Sequence, residues 1–276
     1  MNNKKNSGKS LLNFLTPFLV LALLSSCKAP IPIIDPRPDI ELTWAEAEVA
    51  LPPFRSGEDV LLANLEDKAV KDRLASLPRQ AALPVILYAH GCTGIGSGPF
   101  FKILARAGYV VIAPDSMARR YRPLQCDPKT QTGGYNRFVY DFRLTEISFA
   151  LDRLKRLSWV DQHKVFLIGV SEGGVAAALY RGDEFRARVI AQWTCTGAPL
   201  VEGIFAPLDE PVLSIVRDAD PWYDKSRTRN QRGDCGAFMR GRTNSRSIVL
   251  KGGDHNILGE RENVRTILKF LEEAGS

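Results

Sequence analysis

Short apolar segments alternate with longer amphipathic ones along the chain after residue 80. The apolar segments are rich in β-branched side chains, which is typical of parallel strands covered on both faces. This alternation predicts an α/β fold with a mostly parallel, doubly wound sheet and helices on both faces. Strands are predicted at Val85–His90, Val110–Pro114, Val165–Val170, Val189–Trp193, Val212–Val216 and Ser247–Leu250, and helices at Pro99–Ala107, Phe138–Leu157, Gly173–Tyr180 and Asn263–Glu273.

The start of the chain has a different pattern, with three lysines before the apolar run Leu11–Leu24. A positive start, a short apolar stretch and then small residues predict a secretory signal peptide over residues 1–26. The run is too short to span a bilayer stably. It is followed by Ser25-Ser26-Cys27, which resembles the bacterial lipobox, so we expect Cys27 to carry lipid and become the new N-terminus. The alternative is ordinary cleavage near Ser26, which would leave Cys27 as a free thiol.

Four prolines lie in residues 27–40, mostly at alternate positions. This spacing favours extended polyproline geometry and predicts a tether behind the lipidated cysteine. A single α/β domain is therefore expected over residues 41–276. Within it, Leu42–Ala50 alternates loosely and predicts an edge strand.

Composition limits the class of protein. The 276 residues are 45% hydrophobic and 25% charged, which is ordinary for a globular protein with a sizeable core. The formal net charge is +6, but 34 basic and 31 acidic residues remain after residue 26. That weak positive charge gives no argument for nucleic acid as a partner. The only long apolar run lies at the N-terminus, so a polytopic membrane protein is excluded.

The sharpest motif is Gly169-Val170-Ser171-Glu172-Gly173, which follows an apolar strand and precedes a helix-forming run. It is G-x-S-x-G in the strand–turn–helix context that presents a nucleophilic serine. Small neighbours are needed because the serine occupies a strained turn into which larger side chains would collide. The alternative is a glycine-rich turn in which Ser171 caps a helix. We expect Ser171 to be the nucleophile.

A serine nucleophile needs a general base, and the chain has three histidines. His163 precedes the nucleophile strand and is expected at the opposite edge of the sheet. His90 ends a strand and leads into a glycine-containing loop, where a structural role is expected. His255 follows the last apolar strand, where the chain order Ser…Asp…His places the base. We therefore expect His255 to be the base rather than a surface loop histidine.

The carboxylate that orients the base should follow the strand between Ser171 and His255. Both Asp218 and Asp220 follow that strand. Asp220 is favoured because it directly precedes a proline turn, and Asp254 is the next candidate.

An oxyanion hole needs two backbone donors. The N–H of Glu172 is expected to supply one, and the segment Cys92–Thr93 the other, because Gly91 and Gly94 let that loop fold tightly. The Glu172 side chain either lies exposed at the helix start, where the helix dipole favours it, or lines the pocket.

These motifs together resemble the α/β-hydrolase superfamily, and specifically its dienelactone-hydrolase-like branch. The resemblance spans residues 83–274 and rests on His90-Gly91-Cys92-Thr93-Gly94, the turn at Ser171, Asp220 in DADP and His255 in GGDHN. The enzymes after which the branch is named use a cysteine nucleophile, whereas this chain has Ser171. The resemblance therefore implies ester hydrolysis in general, with no cofactor.

Apart from Cys27 the chain has four cysteines, and an even number in an exported chain suggests disulfides. In the fold that the resemblance implies, the loops that carry Cys92 and Cys126 follow neighbouring strands, and so do those that carry Cys195 and Cys235. We therefore expect Cys92–Cys126 and Cys195–Cys235, with four free thiols as the alternative. No CxxC occurs, so no metal site is expected.

Residues 222–246 carry seven basic and two acidic side chains beside the expected acid. They form either a positive rim that attracts anionic substrates or lipid headgroups, or, as we favour, a solvated insertion. About eighteen residues separate Trp193 from Val212, which leaves little room for a large lid.

The expected function is that of a serine hydrolase acting on a small-molecule ester or lactone. We expect it to be a monomer, attached by Cys27 to a membrane of the bacterial cell envelope, on the periplasmic side or at the outer membrane. A peptidase or amidase on the same scaffold is the first alternative. A catalytically silent, envelope-binding lipoprotein is the second, although an intact triad argues against it.

Overall fold

The computed structural model describes residues 35–123, 125–133, 137–196, 202–223 and 233–276. The predicted signal peptide and Cys27 lie outside these residues. The helices are α1 (Asp39–Ala45), α2 (Lys68–Ala75), α3 (Gly98–Arg106), α4 (Arg137–Leu154), α5 (Glu172–Leu179) and α6 (Arg261–Gly275). The strands are β1 (Glu48–Leu51), β2 (Leu61–Asn64), β3 (Leu83–Ala89), β4 (Val110–Ala113), β5 (Cys126–Asp127), β6 (Thr132–Gly133), β7 (Val160–Val170), β8 (Ala187–Ala191), β9 (Val212–Arg217) and β10 (Arg246–Leu250).

Within the described residues, eight strands form one sheet in the order β10-β9-β8-β7-β3-β4-β1-β2. The strands from β10 to β4 run parallel, whereas β1 pairs antiparallel with both β4 and β2. The predicted mostly parallel, doubly wound sheet is confirmed. All six predicted strands and four predicted helices are present, with ends that shift by a few residues.

The prediction for Leu42–Ala50 was wrong in two respects. Its first half belongs to α1, and its second half enters β1, which lies between β4 and β2 rather than at the sheet edge. The helix starts at Asp39, directly after Pro38, so the proline-rich segment ends two residues earlier than predicted. A proline before the first helical residue is compatible with a helix start, because the amide it lacks has no partner inside the helix.

The sheet is apolar on both faces. In β7, Val165 and Leu167 pack with the cluster that includes α4 and α5, whereas Phe166 and Ile168 pack with α3 and α6 on the other face. Successive side chains of a strand point to opposite faces, so a strand covered on both sides reads as a continuous apolar run. This explains why the strand predictions succeeded.

Parallel order places the carboxyl ends of β3, β7, β8, β9 and β10 at one edge of the sheet, which we call the carboxyl edge. Between β8 and β9, the described residues 192–196 and 202–211 form no helix or strand. In this part of the chain, no additional domain covers the carboxyl edge.

Candidate active site

Ser171 lies at the turn between β7 and α5 with φ 55° and ψ −115°, a strained conformation for a residue with a side chain. Its N–H donates to the Ala191 carbonyl over 2.9 Å. The turn depends on small residues. A Cβ on Gly169 would lie 2.1 Å from the Gly173 carbonyl oxygen, and one on Gly173 would lie 1.9 Å from that of Ala89. The close packing of strand against helix therefore excludes side chains here and exposes the Ser171 hydroxyl at the carboxyl edge.

The structure brings together the three side chains that the sequence singled out. His255 Nε2 lies 3.0 Å from Ser171 Oγ, and His255 Nδ1 lies 2.5 Å from Asp220 Oδ2. The other carboxylate oxygen of Asp220 accepts the Trp222 N–H over 3.0 Å. The Asp220 side chain is 1% exposed and that of His255 is 21% exposed. The imidazole thus connects a buried carboxylate to the hydroxyl of the half-buried Ser171.

The alternative residues point elsewhere. Asp218 pairs with Lys251 over 2.8 Å, and this hydrogen bond lowers the pKa of the Asp218 carboxyl. Asp254 accepts the N–H of Asn256, two residues along its own loop. His163 lies within β7, eight positions before Ser171 and exposed to solvent. The structure therefore places Asp220, rather than Asp218 or Asp254, against the imidazole of His255.

The loop after β3 lies directly against the nucleophile. Gly91 and Gly94 pair as an isolated bridge, and a Cβ built on Gly91 would be 3.5 Å from Ser171 Cβ. Between them, Cys92 is buried and Thr93 is exposed. The loop that carries Cys92 and Thr93 thus lies against the turn that carries Ser171 and Glu172.

Glu172 adopts neither of the two side-chain placements that the sequence suggested. Its carboxylate is buried and pairs with the guanidinium of Arg122, and Arg143 Nε lies 3.7 Å away. Burial raises the pKa of the Glu172 carboxyl, although the two guanidinium groups oppose that shift. The side chain therefore ties the start of α5 to the loop after β4.

These contacts belong to a larger set of paired charges, each less than a tenth exposed, which we call the buried ion network. Arg143 also pairs with Glu146 over 2.9 Å, and Glu146 accepts from Arg119 over 2.6 Å. Arg119 continues to Asp39 at the start of α1 over 3.0 Å. The members of the buried ion network are Arg119, Arg122, Arg143, Glu146 and Glu172.

His90 is packed against this network and has the structural role that the sequence suggested. The Ser116 N–H donates to His90 Nε2 over 2.9 Å, so the ring proton lies on Nδ1, which donates to the Gly91 carbonyl over 2.7 Å. Burial and the Arg143 guanidinium hold the pKa of His90 well below its ordinary value. Arg143 also donates to the His90 carbonyl over 2.8 Å. A neutral imidazole thus fixes the loop that faces Ser171.

Two aromatic rings lie beside the base. The Trp222 and His255 ring centroids are 5.3 Å apart, and those of Tyr223 and His255 are 6.2 Å apart. Sequence reasoning missed both rings, and also Gln192, whose side chain donates to the His255 carbonyl. One signal was available for Gln192, because it is a polar residue directly after a buried strand at the carboxyl edge.

Both predicted disulfides are present. Cys92 joins Cys126, and Cys195 joins Cys235, with Cα–Cα distances of 5.9 and 5.0 Å. The first connects the loop after β3 to the small β5–β6 hairpin. The second connects the chain after β8 to the segment that precedes β10.

The basic segment 222–246 is described only in part, because residues 224–232 lie outside the described residues. Two of its basic side chains are engaged within the domain. Arg242 donates to the carbonyls of Ile204, Ala206 and Pro207, and Arg246 pairs with Glu273. Arg242 therefore supports a neighbouring loop, and Arg246 connects β10 to α6, so neither belongs to a free positive rim.

No group of three or more His, Cys, Asp or Glu side chains among the described residues could hold a metal ion. In the same part of the chain, none of the helices combines the length and apolarity needed to cross a membrane.

Comparison with known proteins gives a family match. The model of the dienelactone hydrolase family matches residues 72–232. A search of curated proteins found no match.

Many solved structures resemble the chain at low sequence identity. The protein TT1662 of Thermus thermophilus is 18% identical with a TM-score of 0.49, over 71% of this chain and 91% of that one. A cold-adapted esterase from an Arctic intertidal metagenomic library is 13% identical with a TM-score of 0.49, over 83% and 94%. The acylaminoacyl peptidase of Pyrococcus horikoshii is 16% identical with a TM-score of 0.48, over 71% of this chain and 38% of the peptidase. The chain thus spans well under half of that peptidase.

Proposed function

The chain belongs to the dienelactone hydrolase family and has the α/β-hydrolase fold; from that premise, we propose that it is a serine hydrolase that cleaves carboxylic esters or lactones. The observation that carries the proposal is the chain of contacts from Asp220 through His255 to Ser171, over 2.5 and 3.0 Å. A hydroxyl within hydrogen-bond distance of a base, itself held by a carboxylate, is the arrangement of an activated nucleophile.

In the proposed reaction, Ser171 Oγ attacks the ester carbonyl carbon while His255 Nε2 takes the hydroxyl proton. Asp220 holds the imidazole by Nδ1 and stabilises the imidazolium that forms. His255 then gives the proton to the leaving alcohol, and an acyl-enzyme remains on Ser171. Water then attacks the acyl carbonyl while His255 Nε2 takes its proton; the bond from the acyl carbon to Ser171 Oγ breaks, His255 returns the proton to Oγ, and the acid departs. With a lactone, the leaving hydroxyl stays attached to the acyl group.

We assign the oxyanion hole to the backbone N–H of Glu172 and to an N–H from Cys92 or Thr93. The position of Gly91 against Ser171 supports this assignment, because it brings the loop to the nucleophile. Donors fixed before the reaction stabilise the developing negative charge without reorganising. The buried ion network and the disulfide at Cys92 supply that fixation.

We further propose that the enzyme is exported and held in the bacterial cell envelope by lipid on Cys27. The sequence up to Cys27 supports this, and two disulfides suit an oxidising compartment. Mass spectrometry of the mature N-terminus should find a lipid-modified Cys27, and Cys27→Ala should move the protein to the soluble fraction. An unmodified N-terminus upstream of Cys27 would contradict the anchor.

The function is tested by assaying the purified protein with short p-nitrophenyl esters and lactones, and with aminoacyl anilides. We expect ester and lactone turnover, together with labelling of Ser171 by a fluorophosphonate probe. Ser171→Ala should abolish both while the circular dichroism spectrum is unchanged, because removal of the nucleophile costs several orders of magnitude in rate. Turnover of the anilides alone would assign a peptidase or amidase, and persistent labelling of the variant would move the nucleophile elsewhere.

A further inference from the structure

Gln192 lies directly after β8, the strand between β7, which leads to Ser171, and β9, which leads to Asp220. It has φ 59°, in the left-handed region that residues other than glycine rarely adopt. The residue is buried, and its N–H donates to the Ile215 carbonyl of β9 over 2.9 Å. Its backbone conformation is therefore fixed by the sheet although it is intrinsically unfavourable.

Gln192 contacts both the loop that carries Asp220 and the loop that carries His255. Its side-chain Nε2 donates to the backbone carbonyl of His255, and its own carbonyl accepts the Tyr223 hydroxyl. The Tyr223 N–H in turn donates to the Asp220 carbonyl over 3.1 Å. The preceding residue, Ala191, accepts the Ser171 N–H over 2.9 Å. Two consecutive residues thus contact the loops of the nucleophile, the acid and the base.

We propose that Gln192 is a positioning residue for the proposed serine hydrolase, holding the Asp220 and His255 loops in register so that the imidazole reaches Ser171. This inference rests on the proposed function. The left-handed conformation aims the Gln192 carbonyl at Tyr223 and its side chain at His255. Glycine would adopt this conformation freely but would lack the amide, and asparagine would carry the amide one methylene closer to the backbone.

The role of Gln192 requires a donor at the end of its side chain. The His255 carbonyl accepts only from an N–H or O–H, so a side chain of similar length without a donor should keep the packing and lose the contact. Gln192→Met makes that change. Its matched control is Thr194→Val, because Thr194 is buried two residues further on and its hydroxyl bonds within the same loop, to Thr196.

We expect Gln192→Met to lower kcat for a p-nitrophenyl ester by about 10- to 100-fold with KM within about twofold, because a small misplacement of catalytic groups acts on the chemical step. The rate of fluorophosphonate labelling at Ser171 should fall in parallel. Thr194→Val should keep both rates at their wild-type values, although its melting temperature should change by about as much as that of Gln192→Met. Tyr223→Phe, which removes the second contact, should lower kcat about 3- to 10-fold.

Three outcomes overturn the inference. The first is that Gln192→Met retains the wild-type kcat and labelling rate. The second is that Thr194→Val loses as much activity as Gln192→Met, because any destabilising change in this loop would then lower the rate. If Gln192→Met does not fold, an unchanged kcat in Tyr223→Phe overturns it. Failure of the proposed function looks different, since the wild-type protein itself would then resist the fluorophosphonate. A wild type that is labelled but hydrolyses no ester would leave the labelling rates to decide the role of Gln192.

Discussion

On one side of Ser171, ionised side chains from the loop after β4, from α4 and from α5 are buried together around Arg143 and Glu172, and Arg143 also donates to the His90 carbonyl at the start of the loop after β3. On the other side, the described residues of the loops after β8, β9 and β10 meet the imidazole through neutral hydrogen bonds, aromatic rings and one carboxylate, that of Asp220. We call these the β3–β4 side and the β8–β10 side.

The difference follows from what each side has to do in the proposed reaction. The β3–β4 side holds backbone donors still, and its buried ion pairs resist displacement because an unpaired charge in the interior is costly. The β8–β10 side moves a proton, and a further ionised group beside the imidazole would favour one protonation state over the other. Loss of a side chain that contacts the imidazole on the β8–β10 side should therefore appear first in rate, and loss of a member of the buried ion network on the β3–β4 side first in stability.

The largest effect is expected within the β8–β10 side. Asp220→Asn should lower kcat by about 10⁴-fold, because the amide holds the wrong tautomer of His255. Asp218→Asn should cost less than about threefold, since that carboxylate pairs with Lys251 at the surface. Steady-state kinetics of both variants with one ester decides between them, and equal or reversed losses would transfer the orienting role to Asp218.

The β3–β4 side is best tested at Arg122, whose side chain is 3% exposed. Arg122→Met leaves the Glu172 carboxylate without its nearest partner and should lower the free energy of unfolding by about 3–5 kcal/mol. The control Arg246→Met removes an exposed pair and should cost about 1 kcal/mol or less. Urea unfolding measures both. Equal losses would show that the network contributes no more than a surface pair.

Each side also has one disulfide, so the same chemical change can be made on both. The bridges join cysteines 34 and 40 residues apart, and the chain-entropy model gives each about 3–4 kcal/mol of stability. Cys92→Ser should lower both melting temperature and kcat, because Cys92 adjoins the assigned oxyanion donors. Cys235→Ser should lower mainly the melting temperature. Gln192, three residues before Cys195, is held independently of the disulfide, because its N–H donates to the Ile215 carbonyl of β9.

Peptide mapping of the unreduced protein should find both disulfide-linked pairs and no titratable thiol among these four cysteines. A Cys92–Cys235 link would refute the pairing. Equal losses of kcat in the two variants would contradict the assignment of oxyanion donors beside Cys92.

The smallest effect concerns His90, whose pKa is lower in the folded protein than its ordinary value of about 6.5. The stability it contributes is fully present above that ordinary value and is lost as the pH falls below it, because the unfolded chain then binds a proton that the folded site resists. The slope should approach about 1.4 kcal/mol per pH unit. The free energy of unfolding of wild type and His90→Gln, measured between pH 5 and 8, isolates the contribution of His90. The same pH dependence in both proteins would exclude that contribution.

Sequence patterns predicted the parts of the site that depend on chain order. The turn at Ser171 is a local motif, and Asp220 and His255 follow strands that can be recognised in the sequence as apolar runs. The buried ion network was not predicted, because Arg122 and Glu172 are 50 residues apart and meet only when the loop after β4 folds over α5. The contact between Gln192 and His255 was missed for the same reason, since the two residues are 63 positions apart.

The pairing of the cysteines has a consequence for how the oxidised protein is made. Cys92–Cys126 and Cys195–Cys235 join cysteines that are consecutive after residue 90, and neither loop encloses the other pair. A chain that meets an oxidant from its N-terminus onward would form these bridges in order of appearance, without later thiol–disulfide exchange. Cys27 precedes them all, and as a free thiol it would compete for Cys92 and shift every later pairing by one. Lipid on Cys27 would occupy that sulfur, so the predicted anchor would also remove this competitor for Cys92.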